Sequence, residues 1–167
     1  MKNVPDEMYA AAEEVFAAFL SLGKTLATAE SCTGGLLGAA LTSLPGSSDF
    51  YLGGVVSYAN DVKTEFLGVD PDLLLHQGAV NEEVARQMAA GVRDRTGAEV
   101  AVAITGIAGP SGGSPEKPVG TVYVCFMDGA NDKVVRYEFT GDRGDVRDQT
   151  VMAVLAEMKD FVKLQRA

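Results

Sequence analysis

The chain has 167 residues, 47% of them hydrophobic and 22% charged, enough for one well-buried core and short for two, so a single domain over residues 1–167 is expected. With 14 Lys and Arg against 23 Asp and Glu, the formal net charge is −9; such a chain repels phosphate backbones unless its few cations are concentrated, which disfavours nucleic-acid binding. No apolar run nears the roughly 20 residues of a membrane span, and Met1-Lys2-Asn3-Val4-Pro5-Asp6 lacks the basic-then-apolar order of a leader, so a soluble, cytoplasmic protein is expected.

Met8, Ala12, Val15, Phe16, Phe19 and Leu22 recur at three- and four-residue spacings and predict a first helix ending near Gly23. Thr25 to Ala29 reads as a short strand. The small-residue turn Glu30-Ser31-Cys32-Thr33-Gly34-Gly35 then leads into a helix over 36–44, which Pro45-Gly46-Ser47-Ser48 ends. Gly54 to Tyr58 is β-branched and aromatic, hence a strand. Asn60 or Asp61 can cap the short helix that follows, with Lys63, Phe66 and Leu67 on it.

His76, in Leu75-His76-Gln77-Gly78, reads as the end of another short helix. Asn81 can cap the next one, where Glu82 and Glu83 favour the positive end and Val84, Ala85, Met88 and Val92 form the apolar side as far as Gly97. Val100 to Ile104 is apolar on both sides, as a central strand covered by helices should be. The loop from Thr105 to Pro118 is too rich in Gly and Pro for regular structure and longer than a connection requires. Val119 to Met127 and Val134 to Phe139 form an antiparallel hairpin around Asp128-Gly129-Ala130-Asn131-Asp132. Asp145 can cap a final helix whose stripe is Val151, Val154, Leu155, Met158, Phe161 and Val162.

This order predicts an α/β fold: a three-layer α/β/α sandwich with a mixed, mostly parallel sheet that contains an antiparallel hairpin. Ligands of such sheets bind beyond the carboxyl ends of the strands, where both Gly-rich loops begin.

Cys32 and Cys125 are too few to staple the fold and form no CxxC pair. A single histidine, His76, can build neither a His-dependent metal cluster nor a Ser/His/Asp triad. The carboxylates lack metal-ligand spacing, so no metal is assigned. Ser31 to Gly35 fits either a nucleophile turn, whose free amides favour an oxyanion or a phosphate, or a tight packing turn. Lys63 is either a base, if burial strips its proton, or a solvated lysine. Tyr58 is a relay or a packing residue. Thr105 and Gly106 open a loop that either approaches a ligand or only covers the surface. Arg143 and Arg147 flank a helix start and either grip phosphate or stand in solvent. Cys32 ranks below Ser31 as nucleophile because it lacks a second histidine or cysteine. Cys125 reads as core.

Together, AESCTGG at 29–35, VSYANDVK at 56–63, QGAV at 77–80, AITGIAGPSGGSPEKPVGTVY at 103–123 and GDRGDVR at 141–147 resemble the CinA C-terminal domain family over nearly the whole chain. Stand-alone members of that family are nicotinamide-mononucleotide deamidases, so the resemblance implies hydrolysis of nicotinamide mononucleotide to nicotinic acid mononucleotide and ammonia. It implies Ser31 as nucleophile and Lys63 as base, with Tyr58 and Thr105 assisting the base or the amide. Ser48 and Arg143 would lie near the ribose phosphate, with Arg147, Cys32, Gly106, Ala108 and Gly109 in the substrate site, and the Thr33-Gly34-Gly35 backbone would bind phosphate or the oxyanion. No cofactor is needed for this chemistry. Many members carry a large N-terminal domain resembling molybdopterin-binding proteins, which is not expected before the first helix here. The competing expectations are a non-catalytic nucleotide- or phosphate-binding module and an interaction subunit; a homodimer or higher homo-oligomer fits the apolar content.

Overall fold

A computed structural model describes residues 4–164; Met1, Lys2 and Asn3, on which the leader argument partly rests, lie outside them. In chain order the elements are α1 (Asp6–Leu22), β1 (Leu26–Glu30), α2 (Leu36–Thr42), a 3-10 turn (Ser47–Asp49), β2 (Tyr51–Val56), α3 (Asn60–Leu67), α4 (Pro71–Gln77), α5 (Glu82–Thr96), β3 (Val100–Gly106), β4 (Thr121–Asp128), β5 (Asn131–Glu138) and α6 (Arg143–Leu164). The sheet runs β2-β1-β3-β4-β5. Strands β2, β1 and β3 are parallel, while β4 is antiparallel to both of its neighbours. It is the expected mixed sheet with helices on both faces.

The two faces are built from residues of different size. Leu26, Val100, Val102 and Ile104 meet α1, α2 and α6 on one side, whereas Ala27, Ala29, Ala101 and Ala103 meet α5 on the other. Bulky residues separate the sheet from three helices, and alanines let α5 lie close to it. Close approach recurs at Gly91 of α5, where a Cβ would stand 1.9 Å from the Leu67 carbonyl oxygen. Only glycine admits the end of α3 there, and α3 carries Lys63.

Several ends differ from the sequence reading. Strand β2 stops at Val56, and its last tie to β1 is Ser57 N–H donating to Glu30 O at 2.8 Å, which leaves Tyr58 in a loop. Helix α3 begins after Ala59 with no side-chain cap, so neither Asn60 nor Asp61 caps it. The short helix ending beside His76 starts at Pro71 and is capped by Asp70, whose carboxylate accepts from Asp72 N. Asn81 caps α5 by accepting from Val84 N, and Gly97 ends it with φ +73°. The hairpin turn narrows to Gly129-Ala130, because Asp128 and Asn131 pair across it. At α6 the cap is Asp142 rather than Asp145: Asp142 Oδ1 accepts from Asp145 N at 3.0 Å, and Asp145 Oδ2 accepts from Asp142 N at 2.9 Å. That is a capping box, with the acid at the third helical position reaching back. Cys125 is fully buried in β4, as expected of a core residue. Among the described residues no helix is long and apolar enough to cross a membrane.

Candidate active site

Three parallel strands end together at Glu30, Val56 and Gly106, so the loops that follow them converge at one edge of the sheet. The start of α6 joins them. Between these segments lies a cavity of about 280 Å³ lined by Ser31, Cys32, Tyr58, Asn60, Lys63, Ala79, Val80, Thr105, Gly106, Ile107, Ala108, Gly109, Ser111, Gly112 and Arg143.

At its floor, Lys63 Nζ lies 3.0 Å from Ser31 Oγ. It also donates to the Ser57 carbonyl at 2.7 Å and the Tyr58 carbonyl at 3.3 Å. Lys63 is 1% exposed and Ser31 8%. Among the described residues no carboxylate forms an ion pair with Lys63. Burial therefore holds its ammonium below the ordinary lysine range, against a smaller opposing pull from Cys32. Two carbonyls can take the two N–H bonds of a neutral amine, which leaves its lone pair for the Ser31 hydroxyl.

Cys32 is 5% exposed, and burial pushes its thiol up to about 11. At neutral pH it is a thiol rather than a thiolate, a poor nucleophile and a passive wall. Thr105 is buried, and its hydroxyl donates to the Ala79 carbonyl at 2.7 Å. It braces the Ala79–Val80 wall, and its proton is not free for the base or for an amide. Tyr58 reaches Lys63 through its carbonyl, while the residue as a whole is 57% exposed and its hydroxyl accepts from Arg143 Nη2. Arg143 Nη1 donates to Gly109 O at 2.8 Å, so this side chain bridges two walls of the cavity at its mouth. A guanidinium carries five N–H donors, and the others remain for an anion.

Other expected positions fall outside the cavity. The amides of Gly35, Leu37 and Gly38 and the Thr33 hydroxyl all donate to the Glu30 carboxylate, and Gly34 N donates to Ser31 O. The Gly34-Gly35 backbone has no free amide for a phosphate, because a protein carboxylate already occupies that helix start. Arg147 does not line the cavity; its Nη2 donates to Thr33 O at 3.0 Å and holds the turn from outside. Ser48 is exposed in the 3-10 turn that enters β2, at the opposite end of the strands from Ser31. A β-strand separates it from the cavity, so within one chain it does not join the site. Sequence reasoning gave no role in the site to Asn60, Ala79, Val80, Ile107, Ser111 or Gly112, although each stands inside one of the motifs at 56–63, 77–80 and 103–123.

The model of the CinA C-terminal domain matches residues 8–162 of the chain. The chain belongs to the CinA C-terminal domain family. A CinA-like protein of Thermotoga maritima is 48% identical over 140 residues, which are 84% of this chain and 34% of that protein. A CinA-like protein of Mycobacterium marinum is 53% identical over 133 residues, 79% of this chain and 31% of that protein. This CinA domain thus spans about a third of the length of these curated relatives. In structure it is similar to the competence/damage inducible protein CihA of Agrobacterium tumefaciens, with a TM-score of 0.89 and 41% identity over 98% of this chain and 99% of that one. A CinA superfamily protein of Klebsiella pneumoniae gives a TM-score of 0.90 at 35% identity over 93% and 98% of the two chains.

Proposed function

We propose that this CinA domain is an amidohydrolase that converts nicotinamide mononucleotide to nicotinic acid mononucleotide and ammonia in pyridine-nucleotide recycling, by a Ser31–Lys63 mechanism. One observation carries the reading: a buried lysine that pairs with no carboxylate among the described residues stands 3.0 Å from a serine hydroxyl at the floor of a cavity. Holding a cation there is unfavourable, and burial shifts the balance toward the neutral amine that a base requires.

In the reaction, the Lys63 lone pair takes the Ser31 proton as Oγ bonds to the amide carbon. The carbonyl oxygen becomes an oxyanion, to which the Cys32 amide donates. Collapse breaks the C–N bond, and Lys63 returns its proton to the departing nitrogen, releasing ammonia and leaving an acyl ester on Ser31. Water then attacks that ester, with Lys63 taking one water proton and passing it to Ser31 Oγ as the carboxylic acid leaves and loses its remaining proton to solvent. Arg143, at the mouth, is placed to meet the phosphate and offsets the repulsion of a chain with net charge −9.

The test is ammonia release from nicotinamide mononucleotide by the purified chain, beside Ser31→Ala, Lys63→Ala and Cys32→Ala. Loss in the first two with retention in the third is the expected result. Nucleotide binding without ammonia from the unmodified protein would make it a binding module instead.

A further inference from the structure

Glu30 precedes Ser31 in the chain and is 2% exposed. Its Oε2 accepts from Thr33 Oγ1 at 2.6 Å and from Gly35 N and Leu37 N at 3.1 Å each, and its Oε1 accepts from Gly38 N at 2.8 Å. Capping alone does not call for such a group. In the same protein Asn81 caps the much longer α5 with one short neutral side chain, whereas the N-cap of the seven-residue α2 is Gly35, without a side chain, and its first amides are taken by a buried carboxyl group reaching from the end of a strand. A buried charge is costly unless fully hydrogen-bonded, so its presence at this position asks for a further reason.

That reason lies in the amides it leaves. Ser31 N donates to Ile104 O, Gly34 N to Ser31 O and Leu36 N to Thr33 O. With Gly35, Leu37 and Gly38 taken by Glu30, the amides of the turn that donate to no oxygen among the described residues are those of Cys32, which faces its own thiol, and Thr33. Cys32 lines the cavity beside Ser31. Arg147, donating to Thr33 O from α6, fixes the next peptide of the same turn.

Resting on the amidohydrolase reading, we infer that Glu30 is a positioning residue of the reaction. Its carboxylate clamps β1 to α2 across Ser31-Cys32-Thr33, saturates the distal amides and leaves the N–H of Cys32, which lines the cavity beside Ser31, as the donor to the oxyanion. Preorganised donors of this kind act only if the backbone does not move when charge develops, and a four-bonded anchor supplies that rigidity.

The experiment compares the parent with Glu30→Gln, which keeps the size but replaces one acceptor oxygen with an NH₂. The readouts are kcat and KM for ammonia release from nicotinamide mononucleotide, the pH profile, and the inhibition constant of 3-pyridylboronic acid, which forms a tetrahedral anion on a serine. Each removed oxyanion contact is typically worth about 10² in rate, so a loosened one is expected to lower kcat about 10- to 100-fold, with KM within about threefold. The boronate constant is expected to rise by a similar factor, and it does not depend on the fraction of active protein. The midpoint of the pH profile is expected to stay in place.

An unchanged boronate constant would make Glu30 a purely structural cap, and a displaced midpoint would mean that it acts on Lys63; either overturns the inference while the amidohydrolase reading stands. A parent that releases no ammonia overturns both. If Glu30→Gln fails to fold, Thr33→Ala removes a single bond to the same carboxylate. Its boronate constant is expected to rise about threefold, and no change there would again overturn the role.

Discussion

On the α2 side of Ser31, the Glu30 carboxylate is enclosed by three amides and a hydroxyl at 2.6 to 3.1 Å. On the α3 side, the equally buried Lys63 finds two carbonyls and the Ser31 hydroxyl, and no carboxylate pairs with it among the described residues. One charge is fully solvated by the protein and the other is left expensive. The difference separates a side chain that holds a turn through four hydrogen bonds from one that must shed a proton to act.

The largest expected effect comes from emptying the expensive side. Lys63→Met should cut ammonia release by about 10²- to 10⁴-fold, the usual contribution of a positioned base. Its effect on stability should depend on pH. The folded state holds the Lys63 pKa below the unfolded value of 10.5, so the native protein binds this proton less readily than the unfolded chain. The resulting penalty is absent above the unfolded value and fully present below the folded one. Relative to the parent, Lys63→Met should therefore gain stability as pH falls, read from urea midpoints across a pH series. By the same sign, parent activity should decline toward acid as Lys63 takes up its proton. A stability difference that does not change with pH would mean that Lys63 titrates normally.

Glu30→Leu should do the reverse and strike stability first. It strands a buried hydroxyl and three amides, each costing about 1–3 kcal/mol when unpaired, and even partial relaxation leaves a loss of about 3 kcal/mol or more in urea unfolding. A loss well below 1 kcal/mol would show that the carboxylate is replaceable there and dissolve the contrast between the two sides.

How much of this was legible in the sequence differs along the chain. The α5 helix shows its ends in Asn81 and Gly97, and β3 shows its central place in an unbroken apolar run, because local capping and burial pattern decide both. The meeting of Lys63 with Ser31 was not readable. It depends on β2 lying beside β1 and on α3 settling against Gly91, and neither leaves a local mark. Glu30 gave no signal of its own, since its partners are mostly backbone amides without side-chain identity. Ser48 was carried by resemblance alone, which fixes order along the chain but not which end of a strand a residue occupies.

At the mouth, Arg143→Ala should raise KM for nicotinamide mononucleotide about tenfold and leave KM for nicotinamide riboside nearly unchanged, as loss of one charge-assisted phosphate contact predicts. Equal increases for both substrates would mean that Arg143 serves only as the bridge between Tyr58 and Gly109.

The smallest effect is expected from Cys32, which stands between the two buried charges and belongs to neither. Its backbone amide is needed and its side chain is not, so Cys32→Ala should hold kcat within about twofold of the parent, far inside the span a catalytic nucleophile would show. Iodoacetamide gives an independent reading. Burial raises this thiol to about 11, so alkylation at neutral pH should be slow, accelerate only as the solution approaches that value, and leave ammonia release intact meanwhile. If Cys32→Ala were inactive and Ser31→Ala active, the sulfur would be the nucleophile. Lys63 would then have to lower a thiol that burial raises, and the desolvated side of the site would be activating the neighbour of Ser31.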